Sequence, residues 1–172
     1  MKKLICVLLS ILMLATAVAF VGCDKAPETL KMGLGVYTAT PTTADAVDDK
    51  PGQGKVAITA AVITVDAEGK VVACQLDTAD LTVKFTADGK AVASDSFKTK
   101  YEQGKDYNMV AYGGAAKEWF EQADAFNALC VGKTAAEIKA LCAADNYGTD
   151  EVKNAGCTIL VNGLTKAAAK IG

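Results

Sequence analysis

Apolar and polar residues follow two different patterns in the two halves of the chain. In the first half, residues 31–41, 55–66 and 71–85 form apolar runs rich in β-branched residues, which is typical of strands. The segments "AEGK" (67–70) and "TADGK" (86–90) carry turn residues, and the second leads into a short run, "AVAS". Short turns join neighbouring antiparallel strands. The pattern therefore predicts a β-meander, with the first strand ending at Pro41 and residues 42–55 as a polar loop.

In the second half, the apolar residues recur at helical spacing. The segment "AAKEWFEQADAFNALC" (115–130) predicts an amphipathic helix, one face of which carries Trp119, Ala123, Phe126 and Cys130. A second helix is expected within residues 132–144, because Thr134 and Glu137 have the spacing of a capping box. Residues 157–172 suit a helix, but residues 157–161 suit equally a strand that ends at Asn162-Gly163.

Strands followed by helices indicate the α+β class. The apolar face of the meander needs a covering layer, so we expect it to pack against two or three C-terminal helices. Residues 31–172 have the length of a single domain.

The N-terminal residues have the features of an export signal. Lys2 and Lys3 precede an apolar stretch from Leu4 to Val21, and Cys23 follows a glycine. The sequence "AFVGC" resembles the lipobox of bacterial lipoproteins, which implies a signal peptide at 1–22 and lipidation of Cys23. Residues 23–30 would then tether the domain to the outer face of the cytoplasmic membrane. The alternative is an uncleaved transmembrane anchor, because this stretch of 18 residues, apolar except for Ser10 and Thr16, approaches the spanning length.

Charge and cysteine content exclude several classes of function. Loss of the two signal lysines takes the net charge from −2 to −4, and without a basic cluster we expect no nucleic-acid binding. The chain has no histidine and no Cys-x-x-Cys pair, so we expect no metal site and no independent enzymatic activity. The remaining cysteines, in apolar surroundings, suit either disulfides or buried free thiols: Cys74, Cys130, Cys142 and Cys157.

An aromatic and glycine-rich segment lies between the meander and the first predicted helix. It contributes candidate ligand contacts at Tyr101, Tyr107, Tyr112, Gly113 and Gly114. Glycine lets backbone N–H groups approach a ligand closely, and the N-terminus of the following helix favours an anion. The alternative is a packed loop whose tyrosines cover the sheet edge.

The order of these segments, ending in "AGCTILVNGLTKAAA", resembles that of clostridial-type surface lipoproteins. More distantly it is similar to the FMN-binding domain of electron-transfer subunits. The resemblance implies that Thr158, after Gly156, stands where that domain carries FMN through a phosphoester. The sequence departs from the attachment motif, because Val152 and Ala155 replace its acidic and hydroxyl residues. Two functions follow as expectations: flavin carriage or small-molecule binding, and, as the alternative, a cofactor-free surface interaction or structural module. The protein partner is left open.

Overall fold

A computed structural model describes residues 29–92 and 97–171, and it confirms the α+β class. Four antiparallel strands form one sheet in the order of the chain: β1 (Lys31–Ala44), β2 (Gly52–Val65), β3 (Val71–Phe85) and β4 (Ala91–Val92). The predicted meander is thereby confirmed.

The two predicted turns owe their geometry to particular side chains. In the first turn, Asp66 Oδ1 accepts hydrogen bonds from the backbone N–H groups of Glu68 and Lys70, at 3.1 and 2.8 Å. Gly69 has a φ of +77°, which favours glycine. These local interactions fix the register, in which Val65 pairs with Val71.

The prediction that β1 ends at Pro41 was wrong. The strand continues to Ala44, and its register with β2 shifts between Ala39 and Thr42. Proline is tolerated at bulges and on edge strands because its missing N–H removes no regular ladder bond there. The predicted loop therefore shortens to the segment between Ala44 and Gly52.

Five short helices follow the sheet: α1 (Lys100–Gln103), α2 (Trp119–Cys130), α3 (Ala135–Ala140), α4 (Asp150–Asn154) and α5 (Asn162–Ala168). The predicted capping box is present at α3, where Thr134 Oγ1 accepts from the N–H of Glu137 and the Glu137 carboxylate accepts from the N–H of Thr134. In the C-terminal segment, residues 157–161 form neither the helix nor the strand that were the two alternatives, and only the later part is helical. Leu160 forms an isolated bridge with Tyr147, and α5 begins two residues later.

The hydrophobic core lies between the inner face of the sheet and the helices. From the sheet, Ile63 and Leu76 are buried, and Phe126 of α2 and Leu164 of α5 cover them. The outer face is apolar but exposed, as Met32, Leu34, Val36 and Val62 show. Only one face of the sheet is therefore covered by the described part of the chain.

The predicted signal peptide, Cys23 and most of the predicted tether lie outside the described residues. Within residues 29–92 and 97–171, no helix has the length and apolar character needed to cross a membrane. The four cysteines in this part of the chain are free thiols, and Cys130 and Cys157 are buried.

Candidate functional site

An open cleft lies between the tyrosine- and glycine-containing segment and the turn that leads into α5. We call it the Thr158 cleft. Its volume is about 380 Å³. Its lining includes Lys100, Tyr107, Met109, Trp119, Thr158 and Leu160. Two of the residues predicted from sequence, Tyr107 and Thr158, thus lie in one cleft although 51 positions separate them in the chain.

The ammonium group of Lys100 lies over two aromatic rings of this cleft. Its Nζ is 5.0 Å from the ring centroid of Tyr107 and 5.4 Å from that of Trp119. It also forms an ion pair with Asp80 Oδ2 at 3.4 Å. One cation thereby joins the aromatic walls to the polar side chains of the sheet.

Thr158 is held in position by one buried side chain of α2. The backbone N–H and the hydroxyl of Thr158 both donate to Gln122 Oε1, at 2.8 and 2.9 Å. Gln122 Nε2 donates to the carbonyl of Lys117 at 3.0 Å. Thr158 itself is exposed. Its hydroxyl oxygen therefore has a fixed position and is accessible from solvent.

Gly156 adopts a conformation that favours glycine, with a φ of +97°. A Cβ atom at this position would lie 2.7 Å from Lys117 Nζ. The space beside Gly156 is thus occupied by a lysine side chain. The ammonium group of Lys117 therefore lies beside Gly156, which precedes Thr158 by two residues in the chain.

The other predicted ligand contacts lie away from the Thr158 cleft. Tyr101 packs edge-on against Trp119, with 5.5 Å between the ring centroids, and its hydroxyl donates to Asp124. Burial and the hydrogen bond to Asp124 raise the pKa of Tyr101. Tyr112 is 88% exposed. Of these two tyrosines, Tyr101 is partly buried against the core and Tyr112 is in solvent.

The two glycines shape the loop itself. A Cβ on Gly113 would lie 2.7 Å from the backbone oxygen of Met109, so only glycine fits without a shift of the backbone. Gly114 has a φ of +65°. Both have conformational reasons to be glycine and neither lines the cleft.

The anionic group at the N-terminus of α2 is the carboxylate of Glu118, a side chain of the protein itself. The buried carboxylate of Glu118 accepts hydrogen bonds from the N–H groups of Met109 and Val110, at 2.9 and 3.3 Å. Glu121 Oε2 accepts from the N–H of Glu118 at 2.8 Å. Glu118 thereby fixes the loop to the helix.

A second space, which we call the sheet cavity, was missed by the sequence reasoning. It has a volume of about 280 Å³. Polar groups of β2 and β3 and an aromatic ring of β1 line it: Tyr37, Lys55, Thr59, Thr78 and Asp80. Lys100, Trp119 and Leu160 line both spaces. The sequence did contain a signal for this cavity. Lys55 and Thr59 are separated from the buried Ala61 and Ile63 by even numbers of positions, so all four side chains of this strand point toward the covered face.

Among the residues that the structure describes, no group of three or more Asp, Glu or Cys side chains is arranged so that it could hold a metal ion. Burial also disfavours the thiolate form of Cys157. Burial raises the pKa of Cys157 to about 11.

The fold and site define a small α+β domain with two adjoining aromatic-walled spaces. Comparison of the chain with profiles of known protein families, with curated proteins and with solved structures finds no match.

Proposed function

We propose that this protein is an extracytoplasmic lipoprotein, anchored through Cys23, that binds FMN or a similar planar ligand in the Thr158 cleft. The observation that carries this proposal is the meeting of Tyr107, Trp119, Lys100 and Thr158 around one cleft. Aromatic walls with a few placed polar groups are typical of small-molecule sites. The volume of about 380 Å³ lies in the usual range of roughly 300–1,000 Å³ for such sites.

The residues present suit the two chemically different ends of FMN. Tyr107 and Trp119 offer apolar ring surfaces. Lys117, whose Nζ lies against Gly156, offers a cation for the phosphate two residues before Thr158 in the chain. When bound, the isoalloxazine ring would supply the electron-transfer chemistry, and the protein would supply position and electrostatics.

Non-covalent binding is favoured over attachment to Thr158. The family's motif has an acidic residue at the position of Val152, whose side chain here is fully buried in the core. A carboxylate there would be desolvated at considerable cost. This chain thus has no acidic group at the motif position, although the exposed Asp150 and Glu151 stand just before it.

The test measures FMN binding to the full-length protein in detergent. Trp119 is the only tryptophan, so its fluorescence reports on the cleft directly. We expect FMN to quench it, and Tyr107→Ala to weaken FMN binding at least about fivefold, because the Thr158 cleft loses one of its aromatic walls. Tyr112→Ala is the matched control, because Tyr112 lies outside the cleft and is 88% exposed. Absence of quenching at millimolar FMN would refute the proposal.

Mass spectrometry of protein from native membranes addresses both modifications. We expect a lipid on Cys23, and release of the Cys23→Ala variant from the membrane fraction. We expect no phosphoester adduct on Thr158. An adduct that disappears in Thr158→Val would show that covalent carriage occurs despite the altered motif.

The alternative is a cofactor-free interaction module, and the outer face of the sheet favours it. Met32 and Leu34 are 75% and 67% exposed, and exposed apolar patches often mark contact surfaces. They lie within 11 residues of Cys23, so a lipid there would hold this face close to the membrane. Loss of partner or membrane contact in Met32→Glu, together with no FMN binding in the unchanged protein, would favour this function instead.

A further inference from the structure

The sheet cavity contains a pair of buried hydroxyl groups with an unused donor. Thr59 of β2 and Thr78 of β3 are 4% and 7% exposed, and their Oγ1 atoms lie 3.0 Å apart. The two groups carry two hydrogens, and the bond between them uses one. The other hydrogen has no acceptor among the described residues, and both hydroxyls line the cavity. A buried donor in this state favours a ligand that presents an acceptor atom.

The charges around the cavity favour the same kind of ligand. Lys55 Nζ and Lys100 Nζ both pair with Asp80 Oδ2, at 3.0 and 3.4 Å. Two cations share one carboxylate, so the local charge is positive. Lys166 adds a third cation, 4.9 Å from the ring centroid of Tyr37. A ligand oxygen that carries partial or full negative charge is therefore stabilised in the part of the sheet cavity near these lysines.

The walls of the cavity suit a flat molecule. Tyr37 lies on β1 and Trp119 on α2, with Ala57 of β2 also in the lining. The volume of about 280 Å³ is close to the lower limit of roughly 300 Å³ for small-molecule sites. A ring system fits this space better than a whole nucleotide.

We infer that the sheet cavity is the ring site of the bound flavin, and that the Thr158 cleft holds its ribityl and phosphate tail. Lys100, Trp119 and Leu160 line both spaces, so the two spaces adjoin at these three side chains, and the inference places one elongated molecule across them. The carbonyl-bearing edge of the isoalloxazine faces the Thr59 and Thr78 hydroxyls and Lys55. This inference rests on the proposed function, and it adds the orientation of the ligand and the residues that recognise it.

The experiment compares FMN with lumiflavin, which has the ring but no phosphate tail, on the full-length protein. Two variants fill the two spaces separately: Ala57→Phe fills the sheet cavity, and Ala115→Phe fills the Thr158 cleft. Binding is followed by quenching of Trp119 and by the loss of flavin fluorescence. Circular dichroism verifies that each variant is folded.

We expect Ala57→Phe to weaken both ligands at least about tenfold, because the ring loses its space. Ala115→Phe should weaken FMN but change lumiflavin binding less than about twofold. Thr78→Val, which alters only the hydroxyl pair, should weaken lumiflavin about fivefold through one lost hydrogen bond, and it replaces Ala57→Phe if that variant does not fold.

Two different results would overturn the inference. If Ala115→Phe weakens lumiflavin and neither Ala57→Phe nor Thr78→Val does, the ring lies in the Thr158 cleft, and the proposed function stands without the inference. If the unchanged protein binds neither FMN nor lumiflavin, both the inference and the proposed function fail.

Discussion

Gln122 connects α2 to the turn that carries Thr158, and its replacement gives a sharp test of how the site is built. Its buried amide accepts from the N–H and the hydroxyl of Thr158 and donates to the carbonyl of Lys117. Gln122→Met keeps the side-chain length and a similar helix propensity, so the change removes mainly these three hydrogen bonds.

The expected loss in the free energy of unfolding follows from the number of bonds. A hydrogen bond contributes about 0.5–1.5 kcal/mol net, and two of the three partners are backbone groups that lose their side-chain partner. We therefore expect a loss of about 2–4 kcal/mol. Thr158→Val removes only the exposed hydroxyl and keeps the backbone bond, so it should destabilise by at most about 1 kcal/mol.

Urea denaturation monitored by Trp119 fluorescence measures both variants and the double variant. In the Gln122→Met background, Thr158→Val should have almost no further effect, because its hydrogen-bond partner is already absent. A loss below about 1 kcal/mol for Gln122→Met, or full additivity of the two changes, would show that Gln122 does not hold the turn.

Three further outcomes are expected. Gly156→Ala should lower the free energy of unfolding by about 1 kcal/mol, because the φ of Gly156 is +97°. Gly54→Ala is the control and should be close to neutral in thermal unfolding, because Gly54 has no positive φ and no atom near its Cβ position. Phe126→Ala, in a fully buried position, should lose about 3–5 kcal/mol in urea denaturation, and a loss under about 2 kcal/mol would place Phe126 outside the central core. For Cys157, burial raises the folded-state pKa to about 11 from an ordinary value of 9.0, so the unfolded state releases its proton first and stability falls as pH rises from about 9 to 11. Cys157→Ala should lose stability less steeply over that range, and an unchanged slope would contradict the assignment.

Much of the fold was predictable because it depends on short-range signals. The turn at Asp66–Lys70 and the capping box of Thr134 and Glu137 involve residues three or four positions apart, and the structure confirms both. The error at Pro41 has a different origin. Whether a proline ends a strand depends on whether its N–H would face a neighbouring strand, which sequence pattern does not reveal.

The candidate site was only partly predictable for the same reason. The sequence drew attention to Tyr107 and Thr158, and their meeting in one cleft depends on how the loop and the turn before α5 pack against α2. Tyr101 and Tyr112 gave the same sequence signal as Tyr107, yet one packs against Trp119 and the other is in solvent.

The amino-acid sequence alone determined the strands, the turns and the main helices, because periodicity and turn chemistry act within a few residues. The tertiary structure decided which polar groups face an enclosed space. Thr59 and Thr78 are ordinary strand residues until β2 and β3 pair, and Gln122 is an ordinary helix residue until Thr158 reaches it from 36 positions away. Such contacts arise from packing between distant segments, so they appear only when the whole chain has folded.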